Sequence, residues 1–444
     1  MARQKFILQI RTGETFLYRK GGTESQVFEI RLCEKIVDKS LFVALRQAYN
    51  RFPYFNSRLR EIDGKIYLVR NEVTPTPQRT RRLRPLGSYA TQGNVLDVTI
   101  WDNSIFVSFH HGMCDGRGVM PFIRTLLYLY FNDLYPKKSF NVPGLRLPGE
   151  PFLETELSDP VTEGNFRFDP EKVFRVDKTA FPIPLVNSAE RNDGKSWRYE
   201  FSFANEDVMR LCKANGCTPP ILVAILMQRA VIALNPSAVE PILCNMVCDW
   251  RESIGLPDTF RNCVTSIYLP LAIEEKELPL SELGPRFRTL VAEQKKTDSA
   301  RCSASAMIIL SDGLSKLQSY DEKAATIEKF VSRPTDSFVL SYTGQARLGD
   351  LEQYVESIHV YSSGVRDFFL QMSAVNGKLI IDMVQPFLDS DYADAFAAEC
   401  KKEGLACSRT GLIAFSTPKD RFISYRTLWE AIAGGWQNLM KKAH

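Results

Sequence analysis

Apolar and polar residues alternate with a period near two over residues 28–37 (FEIRLCEKIV) and 64–70 (GKIYLVR), the spacing of strands with one face buried. Between them Leu41, Ala44, Leu45, Ala48, Tyr49 and Phe52 recur at helical spacing, which predicts a helix. Asp38 is placed to cap that helix and Pro53 to end it. Residues 95–101 (VLDVTIW) and 105–109 (IFVSF) read as a hairpin around Asp102-Asn103-Ser104. A turn-like stretch, 110–118, leads into a second helix. Its apolar stripe is Val119, Phe122, Ile123, Leu126, Leu127 and Tyr130, with Pro121 in the first turn.

The pattern then breaks. Eight of the 24 prolines fall between Pro136 and Pro184, so this stretch reads as a long crossover between two halves. The second half opens with the strand SWRYEFSF, after which Asn205 caps a helix that stops near Gly216. Thr218-Pro219 starts a strongly apolar helix through Leu234. Strands ILCNMVCD and SIYLPLAI follow, then a polar helical stretch over 280–296 and an apolar segment over 304–317. The strands SFVLSYTG, SIHVYSS, FFLQMSAV and KLIIDMVQ precede a helix over 390–403. Each half mixes hairpin-like strands with amphipathic helices, which predicts an α+β fold.

Composition narrows the function classes. The 444 residues suggest roughly two or three domains. Hydrophobic residues at 44% and charged residues at 24% exclude a disordered, collagen-like or coiled-coil chain. Lys plus Arg is 56 against 52 for Asp plus Glu, a surplus too small to point to nucleic acid. No apolar run reaches the ~20 residues of a transmembrane helix, and MARQKFILQIRTG lacks a secretory core. None of the ten cysteines forms a C-x-x-C pair, and most sit in apolar runs. They read as reduced, buried thiols of a cytoplasmic protein.

Two of the four histidines stand side by side in Phe109-His110-His111-Gly112-Met113-Cys114-Asp115-Gly116, at the end of an apolar strand. Imidazole titrates near neutrality and can take and return a proton. Adjacent strand side chains point to opposite faces, so one histidine faces a cavity and the other packs or orients. Asp115 can hold an imidazole directly, or bind an arginine and fix the turn. A metal site from His110, His111 and Asp115 is disfavoured because adjacent strand histidines diverge. A Cys114 nucleophile needs an activated thiolate facing the imidazole, and no G-x-S-x-G elbow supports a serine hydrolase. The run Arg79, Arg81, Arg82, Arg84 reads as a solvated loop, His359 as structural and His444 as a terminal residue.

HHGMCDG matches the HHxxxDG signature of the coenzyme-A-dependent acyltransferase superfamily, and the chain resembles that group. Its members share the fold of chloramphenicol acetyltransferase. They include nonribosomal condensation domains, BAHD acyltransferases and alcohol O-acetyltransferases. Residues 208–234 resemble the helix–Gly–x–Thr–helix that opens the second lobe, and 242–271 the strand–Arg–loop–strand segment. Residues 338–344 resemble a strand ending in a glycine beside the tunnel. The resemblance covers most of residues 20–400. It implies two lobes, 1–180 and 181–444, with an active-site channel between them. It further implies acyl transfer from an acyl thioester, acyl-CoA, to a small-molecule alcohol or amine, with no bound cofactor. His110, His111, Asp115 and Gly116 would form the site, with His111 as general base and His110 structural. Arg251 would pair with Asp115, and Ser341 or Ser266 would donate to the oxyanion. The family's DFGWG segment is absent, Asn262 and Ser266 stand where a glycine and an asparagine are common, and no carrier or adenylation domain adjoins. A condensation-domain-like protein acting on an acyl carrier protein, or a non-catalytic relative, is therefore the alternative.

Overall fold

A computed structural model describes residues 6–18, 25–163, 169, 171, 180–183, 195–331, 336–362, 368–411 and 413–416. The first half contains β1 (Ile7–Gln9), β2 (Ser25–Leu32), α1 (Asp38–Arg51), β3 (Ser57–Ile62), β4 (Lys65–Arg70), β5 (Gln78–Arg79), β6 (Leu96–Trp101), β7 (Ser104–His110), α2 (Gly116–Leu134) and α3 (Pro160–Glu163). The stripes on α1 and α2 are buried together with Phe28, Ile30, Val98, Val107 and Phe109 of the sheet. Each such side chain contributes roughly 1.5–3 kcal/mol relative to exposure.

The second half contains β8 (Lys195–Ala204), α4 (Asn205–Ala214), α5 (Pro219–Leu234), β9 (Ile242–Asp249), α6 (Arg251–Ile254), β10 (Val264–Leu271), α7 (Leu280–Gln294), α8 (Thr297–Ser315) and α9 (Tyr320–Val331). It continues with β11 (Phe338–Gln345), β12 (Val355–Ser362), β13 (Phe369–Val375), β14 (Lys378–Gln385), α10 (Asp391–Lys402), β15 (Cys407–Arg409) and β16 (Ile413–Ser416). Every residue of α5 from Ile221 to Ile232 is buried. Its one amide, Gln228, donates to the carbonyls of Ile242 (2.8 Å) and Leu269 (2.7 Å), so a polar residue is tolerated inside the core.

Among the described residues the strands form a five-stranded sheet ordered β12-β2-β7-β6-β5, a sheet ordered β10-β9-β11-β13-β14-β8 with β15 and β16 both on β8, and a small sheet β1-β4-β3. The β12 strand comes from the second half yet pairs antiparallel with β2, so the second half contributes an edge strand to the first half's sheet. Leu314 of α8 and Ile327 of α9 also enter the first core. No single described helix is long and apolar enough to cross a membrane.

Several local expectations are corrected. Asp38 and Asn205 are the first residues of their helices, and the caps are Val37 and Ala204. Asp38 instead pairs with Arg79 (Nε 3.1 Å). Pro121 is the sixth residue of α2 and lies beyond the first turn, because the helix already begins at Gly116. Strand β3, with few apolar residues, and helix α9 are elements that the pattern reading does not include. His444 lies outside the described residues.

Candidate active site

The antiparallel pairing of β7 with β2 and β6 carries the chain to His110, where the strand ends and a tight turn leads into α2. His110 is fully buried, and its Nδ1 accepts the Gly112 N–H at 3.0 Å. Its neutral ring therefore carries the proton on Nε2. His111 has left the strand and is half-buried. Its Nδ1 lies 3.2 Å from the Cys114 carbonyl oxygen, which can only accept. That contact places the proton of the neutral ring on Nδ1. The Phe16 ring stacks on the imidazole, with centroids 4.0 Å apart and planes 7° from parallel.

Asp115 caps α2, its Oδ1 accepting the Gly118 N–H at 2.8 Å. Oδ2 accepts the Cys263 N–H at 2.7 Å, and Arg251 Nη2 reaches both oxygens at 2.8 and 3.0 Å. The carboxylate is buried and faces the guanidinium, which suits a brace and not a base. Arg251 is itself buried and also binds Asp249 (Nη1 2.8 Å), the Thr259 carbonyl (Nε 2.9 Å) and the Arg261 carbonyl (Nη2 2.6 Å). Burial works against this cation, but Asp115 and its other neighbours hold its pKa above the ordinary arginine value.

The same seam brings the lobes into close contact. Asn262 Nδ2 donates to the His111 carbonyl at 2.6 Å. A Cβ on Gly118 would lie 2.0 Å from the Phe260 carbonyl oxygen, so only glycine permits this approach. A Cβ on Gly116 would meet Phe28 at 3.3 Å and Thr343 at 3.4 Å. The crossover joins the seam as well. Phe260 N–H donates to the Glu156 carbonyl (3.0 Å), Thr259 to the Ser158 carbonyl (2.7 Å) and Arg261 to Asp159 (2.8 Å).

Of the residues anticipated from sequence, His110, His111, Asp115, Gly116 and Arg251 converge here. Ser266 and Ser341 lie on β10 and β11 at the same level, each registered against Val247 of β9. Thr343 faces Gly116, but β11 shifts register between Tyr342 and Gln345, so alternation does not carry Ser341 to the same side. Ser266 hydrogen-bonds the Tyr268 phenol. Burial pushes the Cys114 thiol well above its ordinary range, which argues against a thiolate nucleophile. Phe16 and Gly118 carry no sequence signal, since one is an ordinary aromatic and the other one glycine among 25.

A second polar cluster, Glu200, His359 and Asp382, brings three ligand-type side chains within 4.8 Å of one another. It is closed by its own partners. His359 Nδ1 meets Asp382 at 3.0 Å and Nε2 meets Ser357 Oγ at 3.0 Å, while Arg198 binds Glu200 at 2.6 Å. It reads as an ion-pair network.

No protein-family model matches the chain, and no curated protein matches it. Solved structures do match in fold. TRI101 of F. sporotrichioides, complexed with coenzyme A and T-2, superposes with a TM-score of 0.57 at 15% identity, over 91% of this chain and 100% of that one. Polyketide synthase associated protein 5 from Mycobacterium tuberculosis gives 0.61 at 15%, over 90% and 99%. The epimerization domain from the third module of tyrocidine synthetase B gives 0.59 at 12%, over 90% and 95%. The fold is thus the two-lobed, chloramphenicol-acetyltransferase-like fold implied by HHGMCDG.

Proposed function

We propose that the protein is an acyltransferase that moves an acyl group from an acyl thioester, acyl-CoA, to a hydroxyl or amine. One observation carries this reading. The Cys114 carbonyl holds His111 Nδ1–H, which makes Nε2 the unprotonated nitrogen of the neutral, half-buried ring where the lobes meet. In the proposed step Nε2 takes the acceptor's proton as its oxygen or nitrogen attacks the thioester carbonyl. The Cys114 carbonyl then stabilises the imidazolium through the same Nδ1–H. The C–S bond breaks as the tetrahedral oxyanion collapses, and the thiolate leaves with the proton from Nε2. Donors must meet the oxyanion, and Ser341 or Ser266 is assigned that role. His110 holds the turn, and Asp115 and Arg251 brace it. The coenzyme A bound by TRI101, which has the same fold, supports CoA as the donor handle.

The test is a thiol-release screen of acyl-CoAs against pooled alcohols and amines, run in parallel with an acyl-loaded carrier protein. Release from CoA thioesters that needs an acceptor supports the reading, and release from the carrier alone moves the donor to the carrier. His111→Ala should lose at least ~10²-fold in turnover while staying folded, whereas His110→Ala should mainly lower stability. Near-wild-type release by folded His111→Ala would overturn the mechanism.

A further inference from the structure

Helix α4 ends in a turn that brings two cysteines together. Cys217 N–H donates back to the Cys212 carbonyl at 3.0 Å, and Gly216 between them has a left-handed φ of +60°. A six-to-one bond of this kind closes a helix and sets the side chain just beyond the turn against one in the last turn. Helix α10 closes in the same way. Leu405 N–H donates to the Cys400 carbonyl at 2.9 Å, with Gly404 at φ +76°. There the facing pair is Cys400 and Leu405, so an apolar side chain suffices for the contact. On α4 the same two positions both carry thiols, and each is the other's hydrogen-bond partner. Close, facing side chains are what a disulfide requires.

The turn is also held from outside. A Cβ on Gly284 of α7 would lie 2.4 Å from the Asn215 carbonyl oxygen and 3.0 Å from the Cys217 Cβ, so α7 packs directly on the turn. Cys217 is the more reactive of the two thiols. The Cys212 thiol donates to it and the exposed Arg288 of α7 favours its anion, which together outweigh burial and lower its pKa. Cys212 moves up, through that same hydrogen bond and through burial.

We propose that Cys212 and Cys217 form a redox modification site, at which a hydroperoxide joins the two thiols in a disulfide that a reducing thiol reopens. The Cys217 thiolate attacks a peroxide oxygen, the O–O bond breaks, and the leaving oxygen takes the proton that the thiol gave up. Cys217 is left as a sulfenic acid. The Cys212 sulfur then attacks the Cys217 sulfur, the S–O bond breaks, and the departing hydroxide takes the Cys212 proton as water. Two thiols and one hydroperoxide thus give one disulfide, one alcohol and one water. Neither cysteine belongs to the His-His turn, and the inference does not depend on the acyltransferase reading.

The test uses the 444-residue chain, reduced, freed of reductant and exposed to hydrogen peroxide raised until the exposed Cys33 is oxidised. Remaining thiols are blocked in denaturant and mapped by mass spectrometry after trypsin. Trypsin cuts after Lys213, so the disulfide joins residues 211–213 to residues 214–229 with loss of two hydrogens. The linked peptides should appear before Cys33 is consumed, and dithiothreitol should separate them. In Cys212→Ser the Cys217 sulfenic acid should persist and react with dimedone. In Cys217→Ser the loss of the Cys212 thiol should slow at least ~10-fold. Folded wild type in which Cys33 is consumed while Cys212 and Cys217 remain free thiols would overturn the proposal. So would a disulfide joining either of them to a third cysteine. If a serine variant does not fold, the wild-type peptide map still decides the matter.

Discussion

Asp115 uses its hydrogen-bonding capacity inside the protein, on two backbone N–H groups and Arg251. The two residues are 136 positions apart, and each is nearly inaccessible to solvent. Breaking such a buried pair strands a charge and costs about 3–5 kcal/mol. Asp115→Ala and Arg251→Ala should therefore each lower stability and turnover, the arginine change more, because it also abandons Asp249 and two carbonyls. Arg251→Lys should not rescue, since one ammonium cannot span that set. In denaturant melts the double variant should cost clearly less than the two single losses added together, and strict additivity would show that the pair is not coupled. At this scale the sequence was legible where a pattern names residue types in order, as in HHGMCDG. Phe16 was not legible, because its stacking on His111 depends on the fold and not on its neighbours in the chain.

At the scale of elements, the N-terminus of α2 is set by contact with the loop before β10. Gly118 and Phe260 meet backbone to backbone, so a Cβ at 118 has no flexible neighbour to displace. Gly118→Ala should cost about 1–3 kcal/mol by overpacking and reduce turnover, because Asp115 sits on the turn that must move. Gly313 gives the contrast. It lies exposed within α8 with nothing within 4 Å of a built Cβ, so Gly313→Ala should stabilise by about 0.5–1 kcal/mol. Thermal melts of the two variants should move in opposite directions, and a Gly118→Ala melt equal to wild type would show that the seam yields at no cost. Elements with a full stripe, α1, α2 and α5, were readable from sequence. In β3 only Ser57 and Leu59 are buried, too few positions to show a period, whereas Tyr320, Ala324 and Ile327 of α9 recur at helical spacing and pack on the first core. Caps were misplaced by one residue at Asp38 and Asn205 because a polar residue at a helix start suits the first turn as well as the cap.

Across the whole molecule, the lobes are joined by charge as well as by the β12 strand that the second half contributes to the first sheet. In FEIRL the acidic and basic residues read as the solvent face of a strand, but nearly all of β2 is buried and that face meets the second lobe. Glu29 and Arg31 of β2 pair there with Arg198 and Glu200 of β8. Arg198 lies 3.0 Å from Glu29 and 2.6 Å from Glu200, and Arg31 lies 2.8 Å from Glu200 and 2.7 Å from Glu29. His359 and Tyr361 of β12 and Asp382 of β14 complete the network, the Arg198 guanidinium standing 4.0 Å over the Tyr361 ring. Burial pushes the Glu29 pKa up, but Arg198, Arg31 and His359 outweigh it and lower it from 4.5 to about 2. Glu200 moves the same way, with burial opposed chiefly by Arg31. A carboxylate with a depressed native pKa adds stability that is fully present above its unfolded value. That stability is lost as pH falls through the native value. For Glu29 the window runs from about pH 4.5 to 2, and the amount is on the order of 3 kcal/mol. Urea melts of wild type at pH 7, 5, 4 and 3 should show unfolding free energy falling across the lower part of that range. Glu29→Gln should be less stable at pH 7, because Arg198 and Arg31 lose a partner anion, and the gap should narrow steadily below pH 4.5. A gap that stays constant down to pH 3 would mean that Glu29 is not held ionised between the lobes, and the network would then join them by packing alone.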